Sequence, residues 1–191
     1  MGRSSRLKAI RKDAKPLKLD FGCGPHKSEG FQGVDAIAFD GVDHVVDLRR
    51  APWPWKDGTV EEARASHFVE HLTAMERIVF VNELYRILVP GGSCQIVTPH
   101  WASSRAYGDP THQWPPVSEF WFYYLSQEWR TTNAPHTDKK HLAGGYACDF
   151  EATWGYSLRP DLNLMHDERR QFAVQNYKEA VLDMAATLKK K

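Results

Sequence analysis

Short apolar runs bounded by turn residues alternate with one stretch of helical periodicity in the first half of the chain. Leu17–Phe21 stops at Gly22, which predicts a strand ending in a glycine turn. Phe31–Asp35 and His44–Leu48 repeat the pattern, each with an acid at or near its end, and Glu62–Phe68 predicts a fourth strand. From Thr73 the spacing changes. Met75, Ile78, Val79, Asn82, Leu84, Tyr85 and Leu88 recur at helical intervals. Thr73 with Glu76 on the same turn is a helix-start signature. Pro90-Gly91-Gly92 must end that helix, and Cys94–Thr98 predicts a buried strand after it. Strands alternating with helical stretches imply an α/β chain: Rossmann-like, doubly wound, with a mostly parallel sheet.

Beyond Pro99 the texture differs. Residues 101–129 carry nine aromatic side chains and four charged ones. Ser118 is placed to cap a helix running to about Arg130, and the polar, glycine-bearing residues 131–145 predict a mobile loop. Tyr146–Leu158 predicts one or two late strands. Asp167–Lys189 has helical spacing through Phe172, Tyr177, Ala180, Val181, Met184 and Leu188. No repeat or linker divides the chain. A basic segment, residues 1–16, precedes a single domain, residues 17–191, with an insertion at about 99–145.

One connection is too short. Gly22 to Gly30 leaves nine residues between the first two predicted strands. A complete crossover with its helix needs at least about ten to twelve. Pro25 and Gly30 limit any helix further, so the first crossover helix is expected to be one turn or missing. The segment Ser5–Ala14 is a candidate lid over the side left uncovered.

Composition narrows the class. The 191 residues are 42% apolar and 26% charged, enough for one real core. The net charge of +1 gives no global pull towards nucleic acid or membrane. Basic residues cluster at positions 3–18 and at Lys189–Lys191, both expected as solvated ends. Cys23, Cys94 and Cys148 are few, odd in number and far apart, which fits a reducing compartment and no disulfide framework. With no apolar leader and no long apolar run, a cytoplasmic protein is expected.

The sharpest motif is Leu19-Asp20-Phe21-Gly22-Cys23-Gly24-Pro25. Two glycines after a strand let backbone N–H groups approach a ligand closely, and they also serve in an ordinary tight turn. A dinucleotide fingerprint needs a further glycine where Lys27 stands, which counts against a nicotinamide or flavin cofactor. In order, LDFGCGP, GVD at 33–35, VVDL at 45–48, SHFVEHL at 66–72 and ELYRILVPGG at 83–92 resemble the class I S-adenosylmethionine-dependent methyltransferases. The likeness is to the small methyltransferase-11-like members and covers roughly residues 17–99. The resemblance implies a cofactor, S-adenosyl-L-methionine, held by Gly22, Cys23 and Gly24 at its methionine end. It implies Asp35 on the ribose hydroxyls, Asp47 with Leu48 at the adenine, and His67 beside the methionine. A carboxylate can accept both ribose hydroxyl donors, and an adenine amino group also wants an acceptor.

For the acceptor side, His100, Asp109 and His112 follow the fifth predicted strand, at the carboxyl edge where open α/β sheets bind ligands. They are the candidate catalytic residues, as base or acceptor contact. Metal ligation by this trio, or by His67 and His71, is the minor reading, and no metal is expected. The aromatic stretch 114–129 serves either as packing or as a wall for a flat acceptor. The acceptor is expected to be a small molecule. A nucleic-acid methyltransferase and a non-catalytic cofactor-binding scaffold are the alternatives. Ser66-His67-Phe68-Val69 lacks the paired prolines of the nucleic-acid amino-methyltransferases.

Overall fold

The structure is a computed structural model and describes residues 17–191. The candidate lid at Ser5–Ala14 lies outside the described residues. One seven-stranded sheet organises the chain, in the order β3-β2-β1-β4-β5-β7-β6. The strands are β1 (Leu17–Phe21), β2 (Gln32–Asp35), β3 (Val42–Val45), β4 (Val60–Ser66), β5 (Leu88–Pro99), β6 (Phe150–Leu158) and β7 (Val181–Lys190). β1 to β5 pair in parallel, and β7 runs antiparallel to both β5 and β6. The mostly parallel α/β sheet expected from the sequence is therefore present.

The long crossover helix is α1 (Ala74–Ile87). Thr73 caps it as expected: Thr73 Oγ1 accepts from Glu76 N–H, and Glu76 Oε2 accepts from Thr73 N–H at 2.8 Å. Phe80, Val81, Leu84 and Ile87 are fully buried against the sheet.

No helix lies between β1 and β2; residues 22–31 form turns. The links from β2 to β3 and from β3 to β4 are also free of helix. Instead the loop Ala51–Gly58 brings tryptophans to the core. Trp53 is 3% exposed, with its ring 5.1 Å from Phe21 and 5.4 Å from Phe80. Such a buried loop needs its backbone polar groups paired. Glu83 accepts from Trp53 N–H at 2.6 Å, and Arg86 donates to the carbonyls of Trp53 and Trp55.

Several boundaries depart from the sequence expectation. β3 is Val42–Val45 rather than His44–Leu48, because Asp47 and Leu48 sit in the turn that follows it. β5 starts at Leu88 and runs through Pro90-Gly91-Gly92, with the register irregularity between Val60 and Glu62 on its neighbour β4. The helix expected from Ser118 to about Arg130 is two short ones, α3 (Glu119–Tyr123) and α4 (Gln127–Asn133), following a single turn, α2 (Arg105–Gly108). Ser118 makes no side-chain cap; Ser126 caps α4 instead. Residues 131–145 are tied down rather than loose. Arg130 is 1% exposed and donates to the carbonyls of Tyr124 and Cys148, and nearby Tyr146 N–H donates to Thr137 O while Tyr146 O accepts from Lys139 N–H.

The largest departure is at the C-terminal end. The helix expected over Asp167–Lys189 is α5 (Asp167–Asn176) followed by strand β7. Met184, Ala186 and Leu188 are buried and Ala185, Thr187 and Lys189 exposed, a period of two. Lys189 and Lys190 thus end a paired strand, and Lys190 donates to Leu88 O at 2.7 Å. No helix among the described residues is long and apolar enough to cross a membrane.

Candidate cofactor and acceptor site

The carboxyl ends of β1, β2 and β4 meet at the turn after Phe21. Gly22 and Gly24 both adopt positive φ, 65° and 52°, which strains any side-chain-bearing residue. At Gly22 there is a second requirement: a Cβ would stand 2.7 Å from Phe68 Cγ. A Cβ on Gly24 would meet nothing within 4 Å, so its backbone faces open space. Gly24 N–H donates to Asp35 Oδ2 at 2.9 Å, and Ile37 N–H donates to Asp35 Oδ1 at 3.0 Å. Asp35 is partly exposed, and a carboxylate offers about four lone-pair positions, so two remain for further donors. Cys23 lies in the same turn, where burial, then Asp20 and Asp35, raise its thiol pKa. It stays a neutral thiol there. Asp20 is 4% exposed and accepts from Ser28 N–H at 2.7 Å, which pins the helix-free link.

Asp47 and Leu48 follow β3. Asp47 is already well supplied with donors. It accepts from Arg49 Nε at 2.8 Å, from Arg49 Nη2 at 3.1 Å and from Arg49 N–H at 3.1 Å. The side-chain bond to Arg49 holds its pKa below the usual carboxylate range. Leu48 is 3% exposed and belongs to the hydrophobic core.

His67 follows β4 directly with φ 52°, a strained backbone for a residue with a side chain. Its side chain is half exposed, and Nδ1 stands 3.2 Å from Glu70 Oε1. The Glu70 contact raises the His67 pKa, against an opposing effect of burial. A single 3₁₀ turn, Val69–His71, then carries Glu70 and His71. The loop after β5 brings Asp109, Thr111 and His112 onto them. The rings of His71 and His112 are 4.8 Å apart, edge to face. Thr111 Oγ1 donates to Asp109 Oδ1 at 2.6 Å and lies 2.9 Å from His71 Nδ1.

His100 goes elsewhere. It is 3% exposed, Nδ1 accepts from Ala102 N–H at 3.2 Å, and Nε2 lies 2.9 Å from Glu119 Oε1. With Nδ1 accepting, Nε2 must be the donor, so both ring nitrogens are committed. Tyr156 also donates to Glu119 Oε1 at 2.9 Å. Together, His100 first, these bonds hold the Glu119 carboxyl at a pKa of about 2. Of the trio expected from the sequence, Asp109 and His112 come together, while His100 is bonded to Glu119, which has no spacing signature in the sequence.

A cavity of about 340 Å³ lies beside these loops, walled by Arg77, Ile78, Pro115, Trp121, Tyr124 and Tyr146. Arg77 is 3% exposed and donates to Val69 O at 2.9 Å and Pro115 O at 2.6 Å. One buried guanidinium thus joins the end of β4 to the aromatic insertion.

No protein-family model matches the chain, and no curated protein matches its sequence. Solved structures do. An S-adenosylmethionine-dependent methyltransferase from Archaeoglobus fulgidus superimposes with a TM-score of 0.62 over 92% of this chain and 86% of that one, at 18% identity. Another from Methanosarcina mazei gives 0.54 over 91% and 92%, at 14% identity. This is the class I methyltransferase fold. Within it, geranyl diphosphate C-methyltransferase from Streptomyces coelicolor, solved with Mg2+, geranyl diphosphate and S-adenosyl-L-homocysteine, gives 0.50 over 93% and 71%, at 16% identity. Relative to the doubly wound plan, this methyltransferase fold lacks the helix between β1 and β2, as the nine-residue spacing implied.

Proposed function

We propose that the chain binds S-adenosylmethionine and transfers its methyl group to a small, largely apolar acceptor. The observation that carries this is the bond from Gly24 N–H to Asp35 Oδ2, at the carboxyl ends of two parallel strands in a methyltransferase fold. The residues fit the cofactor. Gly24 leaves room for close backbone approach, and Asp35 has lone pairs left for the two ribose hydroxyls. Gly22 and Cys23 complete the turn at the methionine end, and half-exposed His67 borders it. Asp47 is the weaker contact, because Arg49 already occupies most of its carboxylate. Leu48 acts only by supporting that turn from the core.

When bound, the cofactor supplies an electrophilic methyl group for in-line displacement. The chain contributes positioning and exclusion of water, worth up to roughly 7–11 kcal/mol when the alignment is good. His67, held beside Glu70, is the best-placed group to take a proton from the acceptor. His100 is withdrawn from that role by its two bonds, and its partner Glu119 anchors the start of α3. The cavity beside Arg77 supports an apolar or aromatic acceptor: most of its wall is aliphatic and aromatic. Binding calorimetry with S-adenosylmethionine, followed by a screen of small acceptors for S-adenosylhomocysteine release, tests the reading.

A further inference from the structure

Glu70 is 4% exposed, and neither of its carboxylate oxygens has a hydrogen-bond partner. A buried carboxylate in that state is costly unless a cation pairs with it. Its basic neighbours answer it only in part. Arg77 spends its donors on the carbonyls of Val69, Pro115 and Gln113. His67 Nδ1 faces Oε1 alone, at 3.2 Å, and leaves Oε2 with no partner. His112 Nδ1 is likewise buried and unpartnered. Ligand atoms of Glu70, His71 and His112 all lie within 4.8 Å of one another.

We propose that Glu70, His71 and His112 hold a divalent transition-metal ion of zinc-like chemistry, between the end of β4 and the loop after β5. Two ligands on one tetrahedral zinc at about 2.0–2.1 Å stand about 3.4 Å apart, so closing the site draws the widest pair together by somewhat more than an ångström, within reach of side-chain rotation. Imidazole and carboxylate are donors that suit such an ion. The surrounding bonds prepare the histidines. The Thr111 hydroxyl gives its proton to Asp109, so it can only accept from His71 Nδ1–H. That fixes the tautomer and leaves a lone pair on His71 Nε2. The other Asp109 oxygen lies 3.9 Å from His112 Nε2, and the buried His112 Nδ1, without a hydrogen-bond partner, is free to offer its lone pair. The Asp109–Thr111 pair thus orients the His71 imidazole, as the outer partners of metal-binding histidines commonly do. Gln113 N–H donates to Glu70 O at 2.8 Å, and Arg77 bridges the same two segments, so the frame is built without the ion. Three protein ligands leave a fourth position for water or an acceptor atom. This proposal departs from the sequence expectation of no metal.

The test is titration of the full, untagged, chelator-stripped chain with Zn2+ by calorimetry, and with Co2+ by visible absorption. One ion per chain is expected, with a Co2+ band that Zn2+ abolishes. His112→Ala and Glu70→Gln should each weaken Zn2+ binding at least about 30-fold and Thr111→Val about 10-fold, the scale seen for ligands and their orienting partners. His136→Ala, on an exposed turn, should change nothing. Circular dichroism of each variant checks folding, and the Co2+ band of the unaltered chain does not depend on any variant. Absence of saturable Zn2+ binding by that chain, or unchanged affinity in folded His112→Ala, overturns the site. Binding of S-adenosylmethionine is measured on the same samples. A chain that binds it without Zn2+ overturns the metal site alone, and one that binds Zn2+ without it overturns only the methyltransferase reading.

Discussion

Phe68 fills the space that a side chain on Gly22 would need: a Cβ there would lie 2.7 Å from Phe68 Cγ and 2.9 Å from Phe68 Cβ. The turn after β1 and Phe68, two residues past the end of β4, therefore fit each other only when position 22 is glycine. Its neighbour Gly24 shares the positive φ but has no such contact.

That contrast separates stability from binding. Gly22→Ala combines the left-handed strain with an overlap on a core-packed ring, and should cost about 2–4 kcal/mol. Gly24→Ala carries the strain alone, about 1–2 kcal/mol, and should stay folded. Its Cβ would instead occupy the space into which the proposed cofactor comes. Urea denaturation ranks the two stabilities. A Gly24→Ala variant that retains full S-adenosylmethionine affinity would show that the ligand does not approach there.

Arg77 offers a second test of the frame. Burying a guanidinium is unfavourable, and burial pulls its pKa down, yet it donates to three carbonyls on two segments. Arg77→Leu should destabilise the chain by about 2–4 kcal/mol, because the freed carbonyls stay buried. Hydrogen exchange should rise at Gln113–Val117 before it rises in α1.

The fold was legible where burial imposes a period. The runs ending at Phe21 and Asp35 became β1 and β2, the run Glu62–Phe68 became β4 shifted two residues earlier to Val60–Ser66, and Thr73 with Glu76 marked the start of α1. β7 was not legible. Its Leu, Met, Ala and Lys residues favour helix in isolation, and they form a strand because β5 and β6 flank it on both sides. In the candidate site, Asp35 ends β2 and Gly22 and Gly24 lie in the turn after β1, positions that a strand-and-turn pattern marks. The pairing of His100 with Glu119 spans 19 positions and depends on where α3 starts, which no local pattern announces. Glu70 reads as an ordinary exposed acid until the 3₁₀ turn buries it.

Acid should act through that pair. Glu119 carries a pKa of about 2 in the folded chain, below the unfolded value near 4.3. Its contribution to stability is complete above the unfolded value and is lost as pH falls towards about 2. Partial exposure reduces the effect to the order of 1–2 kcal/mol. Glu119→Gln should lower stability at pH 7 and flatten the decline between about pH 5 and 2. An unaltered slope in a pH series of denaturation midpoints would show that Glu119 is not the group responsible.

Asp35 and Asp47 should differ in weight. Asp35 bonds the Gly24 turn and has lone pairs free, whereas Asp47 is occupied by Arg49. Asp35→Ala should weaken S-adenosylmethionine binding by about 10- to 100-fold, the scale of losing charge-assisted hydrogen bonds. Asp47→Ala should weaken it less, and Arg49→Ala should partly restore an acceptor to the ligand. Equal losses at both aspartates would contradict this ranking.

Isothermal titration of the full chain with S-adenosylmethionine, beside folded Asp35→Ala, tests the central claim most directly. The expected result is one site per chain, saturable in the micromolar range, with at least a tenfold loss in the variant. Absence of binding to the unaltered chain at millimolar ligand, or the same affinity in Asp35→Ala, would contradict it.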